Sequence, residues 1–568
     1  MTSNGADSFP SDFTPPPPMP PPAPADPAAV GAGYLDILAA RIQTGWAQFL
    51  EDCRLRLPPA HPLNSATLEA TVAYTLDAHG GIVEVRLVGI SGNAEFDDAV
   101  ISAARDAGPF PSPETALLSD DDLVYVTWVF ARDRRQAGAA TAGLRKIEWG
   151  LERAVPKFLA DGNLAEAARR VAAAPSNPVT LGFGERVMIA AVRQGLASAD
   201  PAVQRLAVTA AGAAKLTSAA RELRAIADGA LDVALRGAAI AALAQIGDVD
   251  AGSLLLTILE RDAGANVELT GGAAHALAVL GAGDALSQQV TQWLADGKAG
   301  KTEAAKHHTW AALIAMGGAP VPAAVPTIGP MVTSGDARTR GAACRALAAS
   351  AAVTDAAWKP LGRGLKDADA AVRAACAEAI ADAAQAGAKS RATFWLVAPL
   401  LRDRDERVRA AATLAMVRLE PVRAKTDLAG VARDKSALVQ ASLAEAAVRT
   451  GDLGRAEALL THDQVMVRRA AASALATLGG DPGRARLAGH VDDDPEVAAL
   501  VLAVSTDRAA LTAAAGGADG GLAVVAARRL TELDGRAAGL AAAATAVAAA
   551  PAASAPRVNA AAAWLAAR

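Results

Sequence analysis

The sequence predicts a small α+β domain followed by a long all-α repeat array, and three observations carry that reading. Apolar and polar residues alternate over 67–76 and 82–87, and an apolar run returns at 123–131, with helical patterns before and between them. From about residue 182 onward, an Asp, an apolar residue three positions later and then small residues recur every 30–36 residues or so. Composition is the third observation. Of 568 residues, 52% are hydrophobic but only 4% aromatic. Ala supplies much of the rest, which favours helix and close helix packing. A chain of this length exceeds a single core.

Residues 1–33, with FTPPPPMPPPAPADP, cannot build a core and read as a disordered Pro-rich spacer tending to polyproline II. No Lys or Arg precedes Arg41 and no apolar leader core is present, so the stretch does not read as a signal peptide. The α+β domain is placed at 34–133. Leu35, Leu38, Ile42, Trp46 and Phe49 recur at helical spacing, and Leu57-Pro58-Pro59 ends that helix. Leu68, Ala70, Val72, Tyr74 and Leu76 mark a half-buried strand, Asp77–Gly81 a turn, and Val83, Val85 and Leu87 the second strand of a hairpin. Ser91 or Asn93 caps the next helix, whose apolar face is Phe96, Val100, Ile101 and Ala104. Gly108-Pro109 stops it, and Leu123–Ala131 is a third strand, apolar on both faces. Residues 134–180 read as a helical linker.

Ile42 to Trp46, Leu57-Pro58-Pro59, Val72 to Gly81, Ser91-Gly92-Asn93 with Phe96-Asp97, and Pro109-Phe110-Pro111 before the last strand together resemble the C-terminal domain of the TonB/TolA family. In that family the last strand sits at a sheet edge and recruits a partner peptide, typically a short box of an outer-membrane transporter, by strand addition. The resemblance therefore implies a partner-binding edge at Leu123, Val124, Tyr125, Val126, Thr127, Trp128, Val129 and Phe130. Family members usually end with this domain and carry a membrane helix. Here the domain lies near the N-terminus with a Pro-rich stretch before it, so strand capture is expected rather than energy transduction. The residues themselves leave a second use open: a central strand, or one buried in a homodimer.

The array at 181–568 is clearest where Asp200, Asp232, Asp369, Asp405 and Asp494 are followed three residues later by Val203, Leu235, Val372, Val408 and Val497. Weaker copies start near Asp336, Asp434, Asp463 and Asp519. Asp caps each helix, Pro suits its first position, and Val with later Leu and Ala forms the inward stripe. This resembles HEAT and HEAT-like repeats in an α-solenoid. Arg236, Arg373, Arg409 and Arg468 are expected to be structural, stacking beside the caps. The uncharged, Ala-rich stretch Ala537–Pro556 is as long as a membrane span, but Pro551 and the scarcity of Leu, Ile and Phe make it a soluble helix.

Chemistry-bearing motifs are sparse. Lys and Arg number 55 against 60 Asp and Glu, a net charge of −5, which leaves no footprint for nucleic acid. Cys53, Cys344 and Cys376 are few and far apart, which indicates buried small residues rather than a disulfide framework or a zinc site. His307-His308 cannot face one metal from a helix. The runs Asp120–Asp122 and Asp492–Asp494 read as solvated loop caps, and Gly80-Gly81 and Gly516-Gly517 lack the setting of a phosphate loop. HEAT-like proteins include iron-dependent hydroxylases with His-Glu pairs, and no such pair occurs in this sequence. The resulting expectation is a non-enzymatic adaptor of the cell envelope or periplasm, without cofactor, metal, nucleic acid or membrane insertion, binding protein partners through the third strand and the solenoid. The alternatives are a cytoplasmic scaffold whose small domain self-associates, and a HEAT-like lyase or hydroxylase.

Overall fold

The structure is a computed structural model and describes residues 27–132, 141–262, 265–299, 302–388, 390–515 and 519–567. Residues 1–26 of the expected spacer, and Gly516-Gly517, lie outside the described residues. The chain divides into two compact units, Met1–Ala154 and Val155–Arg568.

In the first unit, helix α1 (Pro27–Arg56) begins eight residues before Leu35, the first residue of its apolar spacing. Leu35, Leu38, Ile42 and Trp46 are buried, and the Trp46 ring meets Phe96 and Phe130 edge-on at 5.5 and 5.0 Å. Strands β1 (Glu69–Leu76) and β2 (Ile82–Gly89) form the hairpin. Its turn is fixed by Asp77, whose Oδ1 accepts from the backbone N–H of His79 and of Gly81, each at 2.8 Å. Gly80 sits at φ +82°, and a Cβ there would run into the carbonyls of Phe110 and Pro111. Helix α2 (Ala94–Asp106) is capped by Asn93, whose Oδ1 accepts from Phe96 N–H at 3.0 Å. Strand β3 (Val124–Ala131) pairs with β1 along its whole length, from Glu69 opposite Ala131 to Leu76 opposite Val124. A fourth strand, β4 (Ala142–Arg145), falls in the stretch read as helical linker. The sheet order is β2-β1-β3-β4, antiparallel throughout.

The second unit is helical. Asp caps open its helices as the repeat pattern predicts: Asp200, Asp369 and Asp405 each accept from the backbone N–H two residues on, at 2.8, 2.8 and 2.9 Å. Among the described residues, twelve helices stack side by side: Pro201–Ala213, Val233–Ile246, Val267–Val279, Glu303–Gly318, Ala337–Ala351, Ala370–Gln385, Glu406–Leu419, Ala437–Arg449, Val465–Thr477, Pro495–Val504, Gly520–Asp534 and Ala555–Ala566. Each packs on the next, and the last packs back on the first, so the array closes on itself rather than ending open.

The closure uses the segment that raised the question of a membrane span. It is one helix, Arg536–Ala549, which ends before Pro551 and leads into the closing helix, Ala555–Ala566. No described helix is long and apolar enough to cross a membrane. Leu540 faces Gly184 and Val558 faces Gly195 so closely that a Cβ at either glycine would strike the partner side chain. Gln194 Oε1 accepts from Ala553 N–H at 3.2 Å and from Arg557 Nη1 at 3.0 Å. Ser176 Oγ donates to the Ala537 carbonyl at 2.9 Å. Glycine on one side thus makes room for the Leu540 and Val558 side chains of the other.

The repeat arginines are structural, as expected, and they work between repeats. Arg340 holds Asp367 (2.7 Å), Arg373 holds Asp403 (2.8 Å), Arg409 holds Asp434 (2.7 Å) and Arg468 holds Asp492 (2.8 Å), each with a second bond from the same guanidinium. The same carboxylates accept from the N–H of Asp369, Asp405, Ser436 and Asp494 at the start of the next helix. Each Arg thus ties one repeat to the cap of the next. In the Asp492–Asp494 run only Asp493 is solvated, at 94% exposure, because Arg468 and Arg469 pull the other two inward.

One expectation about the cysteines is overturned. Cys344 and Cys376 are a disulfide across the joint between Ala337–Ala351 and Ala370–Gln385. The stacking brings residues 32 apart in sequence face to face, which cysteine spacing cannot show.

Candidate functional site

The third strand alternates as its sequence requires. Val124, Val126, Trp128 and Phe130 point into the core, at 0–1% exposure, while Tyr125 and Val129 are half-buried and Thr127 is exposed on the other face. Trp128 lies opposite Val72 on β1, so this face is the centre of the small core.

The expectation that Leu123–Phe130 forms a sheet edge needs correcting. β3 is an interior strand: β1 covers one side, and β4 covers the other from Tyr125 (opposite Arg145) to Trp128 (opposite Ala142). The reason is chemical. AGLR holds only four residues, two of them small and one charged, so it carries no alternation to read. What holds it is one apolar side chain within the strand and the chain beyond it. Leu144 packs on the core beside Leu117 and approaches Gly31, where a Cβ would sit 3.1 Å from Leu144 Cδ1. Beyond β4, Ile147 N–H donates to Ser119 Oγ at 3.0 Å, Asp120 N–H donates to the Ile147 carbonyl at 3.1 Å, and Asp120 Oδ2 accepts from Trp149 N–H at 2.6 Å.

Asp120 is therefore not a solvated cap. It is 4% exposed and clamps the backbone that follows β4. Its neighbour Asp121 accepts from Tyr125 Oη at 2.8 Å, and that bond, with burial, raises the Tyr125 phenol above its ordinary range. The outer edge of β2 is unpaired among the described residues, and Val83, Val88 and Ile90 are exposed along it or just beyond it. Leu144, Ser119 and Ile147 carry no signal that singles them out in the sequence, and Asp120 stands out there only as part of the charged run 120–122, read as solvated.

In the helical unit an open groove of about 600 Å³ runs across Ala370–Gln385, Glu406–Leu419, Ala437–Arg449 and Val465–Thr477. Its floor is Ala and Leu, including Leu414 and Leu438, and its charged groups are Glu378, Arg407, Arg418, Glu445 and Arg449. Arg418 grips Glu445 through two bonds of 2.8 Å, and Arg449 Nε adds a third at 2.6 Å. Burial alone would push the Glu445 carboxyl up, but the two guanidiniums outweigh it and hold it below the ordinary range. Burial does raise the Glu378 carboxyl. Arg418, Glu445 and Arg449 thus satisfy one another, while Arg407 pairs with Asp405. His307 and His308 lie on Glu303–Gly318, where His308 stacks on Trp293 and meets Asp296 at 3.4 Å. Among the described residues no three His, Cys, Asp or Glu converge as metal ligands.

Comparison with known proteins adds the following. No curated protein matches the chain. Among solved structures, an engineered protein is 21% identical, covers 61% of this chain and 98% of its own, and has a TM-score of 0.25. The karyopherin Kap121p is 13% identical at TM-score 0.31, and covers 67% of this chain, which spans 50% of the Kap121p chain. Human deoxyhypusine hydroxylase in complex with glycerol is 15% identical at TM-score 0.21, covering 47% of this chain and 99% of its own. The family described as "TonB C terminal" matches residues 31–124, up to the first residue of β3. Residues 31–124 thus match a TonB C-terminal domain, and beyond β3 and β4 the described chain is a long all-helical, repeat-like region.

Proposed function

We propose that the chain is a non-enzymatic adaptor of the cell envelope, in which the small domain captures a protein segment by strand addition to β3 and the helical unit is the scaffold that presents it. The observation that supports this is the mismatch on β3. β1 covers all eight residues of one side, whereas the other side is covered by a strand of four. A partner strand can take the place of β4 and extend past Trp128 along Val129 to Ala131, gaining main-chain bonds that β4 does not make. The TonB C-terminal-type domain is the reason to look for the partner in the envelope, with the periplasm as the compartment.

The test uses the β4 sequence as its own probe. A labelled peptide of residues 141–147 is titrated against the full chain and against its Leu144→Asp variant. Leu144 is half-buried. Removing its apolar contact weakens the resident strand by about half the full-burial value, about 1–1.5 kcal/mol, so the peptide should bind the variant about five- to tenfold more tightly. A folded variant that binds the peptide no better than the wild type would remove strand replacement as the mechanism. Self-association is the second reading, and the unpaired β2 edge with Val83 and Val88 favours it over a dimer through β3. A concentration-dependent mass that Val83→Lys abolishes would establish it.

A further inference from the structure

Two cysteines that face each other across one repeat joint bear on where this protein folds. Cys344 lies eight residues after the cap Asp336, and Cys376 seven after the cap Asp369. At the equivalent places elsewhere in these repeats stand Ala343, Ala377, Ala412 and Thr413. Cysteine therefore does not serve as a general small filler of the stack. It appears once on each side of a single joint, with α-carbons 5.0 Å apart, inside the range a disulfide spans. Both residues are 0% exposed. The space for the pair comes from Gly364 on the neighbouring helix, where a Cβ would strike both sulfurs and Val332. The remaining cysteine, Cys53, is buried in the first unit, and burial raises its thiol pKa. It stays protonated and offers no competing partner.

We propose that the Cys344–Cys376 bond is a permanent cross-link, made before the joint closes, and that the helical unit therefore folds in an oxidising compartment. Once the helices have docked, no oxidant or reductant reaches either sulfur. The exchange must occur on the open joint. One thiolate attacks the disulfide of a protein disulfide oxidant and forms a mixed disulfide. The second thiolate then displaces the oxidant as a dithiol. The two thiols give up two protons and two electrons, and the oxidant's disulfide takes up the electrons. Glutathione and thioredoxin keep such pairs reduced in the cytosol, whereas secreted and periplasmic chains retain them. The inference stands on the cysteines alone and does not depend on strand capture by β3.

The test counts thiols on the full-length chain. Its own cells are quenched in acid, and the chain is denatured without reductant, alkylated with N-ethylmaleimide and weighed. Of three cysteines, one should be labelled, Cys53. Three labels would overturn the proposal and place the unit in a reducing compartment, while leaving the peptide titration on β3 untouched. Permanence is read separately. Folded protein held in dithiothreitol at neutral pH and then alkylated in denaturant should still carry one label, rising to three only when the reductant acts together with denaturant. Three labels from the folded, dithiothreitol-treated protein would overturn the sealed cross-link.

Discussion

Closure of the helical array makes a prediction that an open solenoid does not. Trp564 in Ala555–Ala566 is 1% exposed, its indole N–H donates to the Arg536 carbonyl at 3.0 Å, and the Arg536 guanidinium lies 3.9 Å over its ring. Trp564→Ala removes the largest side chain of the closing helix. Large-to-small changes of this kind cost about 3–5 kcal/mol. The helix packs on Pro178–Leu196 and Pro201–Ala213 as well as on Gly520–Asp534, so loosening it uncovers residues more than 350 positions away in sequence. At about 1.4 kcal/mol per tenfold, amide exchange through this local opening should speed up by about a hundredfold to a few thousandfold. The assay is hydrogen–deuterium exchange read by mass spectrometry. Acceleration is expected in two separated blocks, 536–566 and 178–213, with little change over 337–449. Acceleration confined to the C-terminal block, with 178–213 as protected as in the wild type, would refute the closed array.

Other perturbations follow from the same contacts. Arg373→Met leaves Asp403 half-buried without its guanidinium and should cost about 2–3 kcal/mol, while the double variant with Asp403→Asn should recover part of that, as read in a double-mutant cycle from urea unfolding. The Arg partners, chiefly through hydrogen bonds, hold Asp367, Asp403 and Asp434 below the ordinary carboxylate range. Their folded pKa values lie under the unfolded value of about 3.9, so the stability they confer is complete above that value and is lost as pH falls through the depressed folded values. The urea midpoint should be flat from about pH 7 to 5 and drop below about pH 4, and a midpoint insensitive to acid would contradict the ladder. Asp120→Ala should release the clamp on Trp149 and raise exchange in β4 while leaving β1 and β2 protected. Gly364→Ala should destabilise the unit by about 1–3 kcal/mol through overpacking against the sulfurs, and replacing both Cys344 and Cys376 by Ala should relieve much of that cost.

Elements were legible where one periodicity ran long enough to be distinctive. Leu68 to Leu76 alternates for nine residues and Leu35 to Phe49 repeats over four turns, and both appear where expected. The caps were legible because Asp before an apolar stripe has one physical use, as Asp369 and Asp405 show. What was not legible depends on partners distant in sequence. AGLR becomes a strand only because β3 offers it an unpaired side and Ser119 and Asp120 fix the chain beyond it. The cysteines pair only because two repeats stack in register. Nothing local in Gly184 or Gly195 says that Leu540 and Val558 will lie against them.

The two units meet the same physical problem at different scale. A sheet whose last strand is bare exposes a row of main-chain donors and acceptors, and a helical array whose last repeat is bare exposes an apolar face that ordinarily needs a polar capping repeat. In each unit a later segment of the same chain covers the exposed side. The array is closed by two helices bearing Leu540, Val547, Val558, Trp564 and Leu565, all nearly or wholly buried, so opening it carries the cost of several core side chains, each about 1.5–3 kcal/mol. β3 is covered by four residues with a single large apolar side chain, Leu144, itself only half-buried. A short partner strand can outcompete that contact but not the helical one. If the chain captures partners by replacing an internal element, the replaceable element is β4, and the helical unit stays closed while it happens.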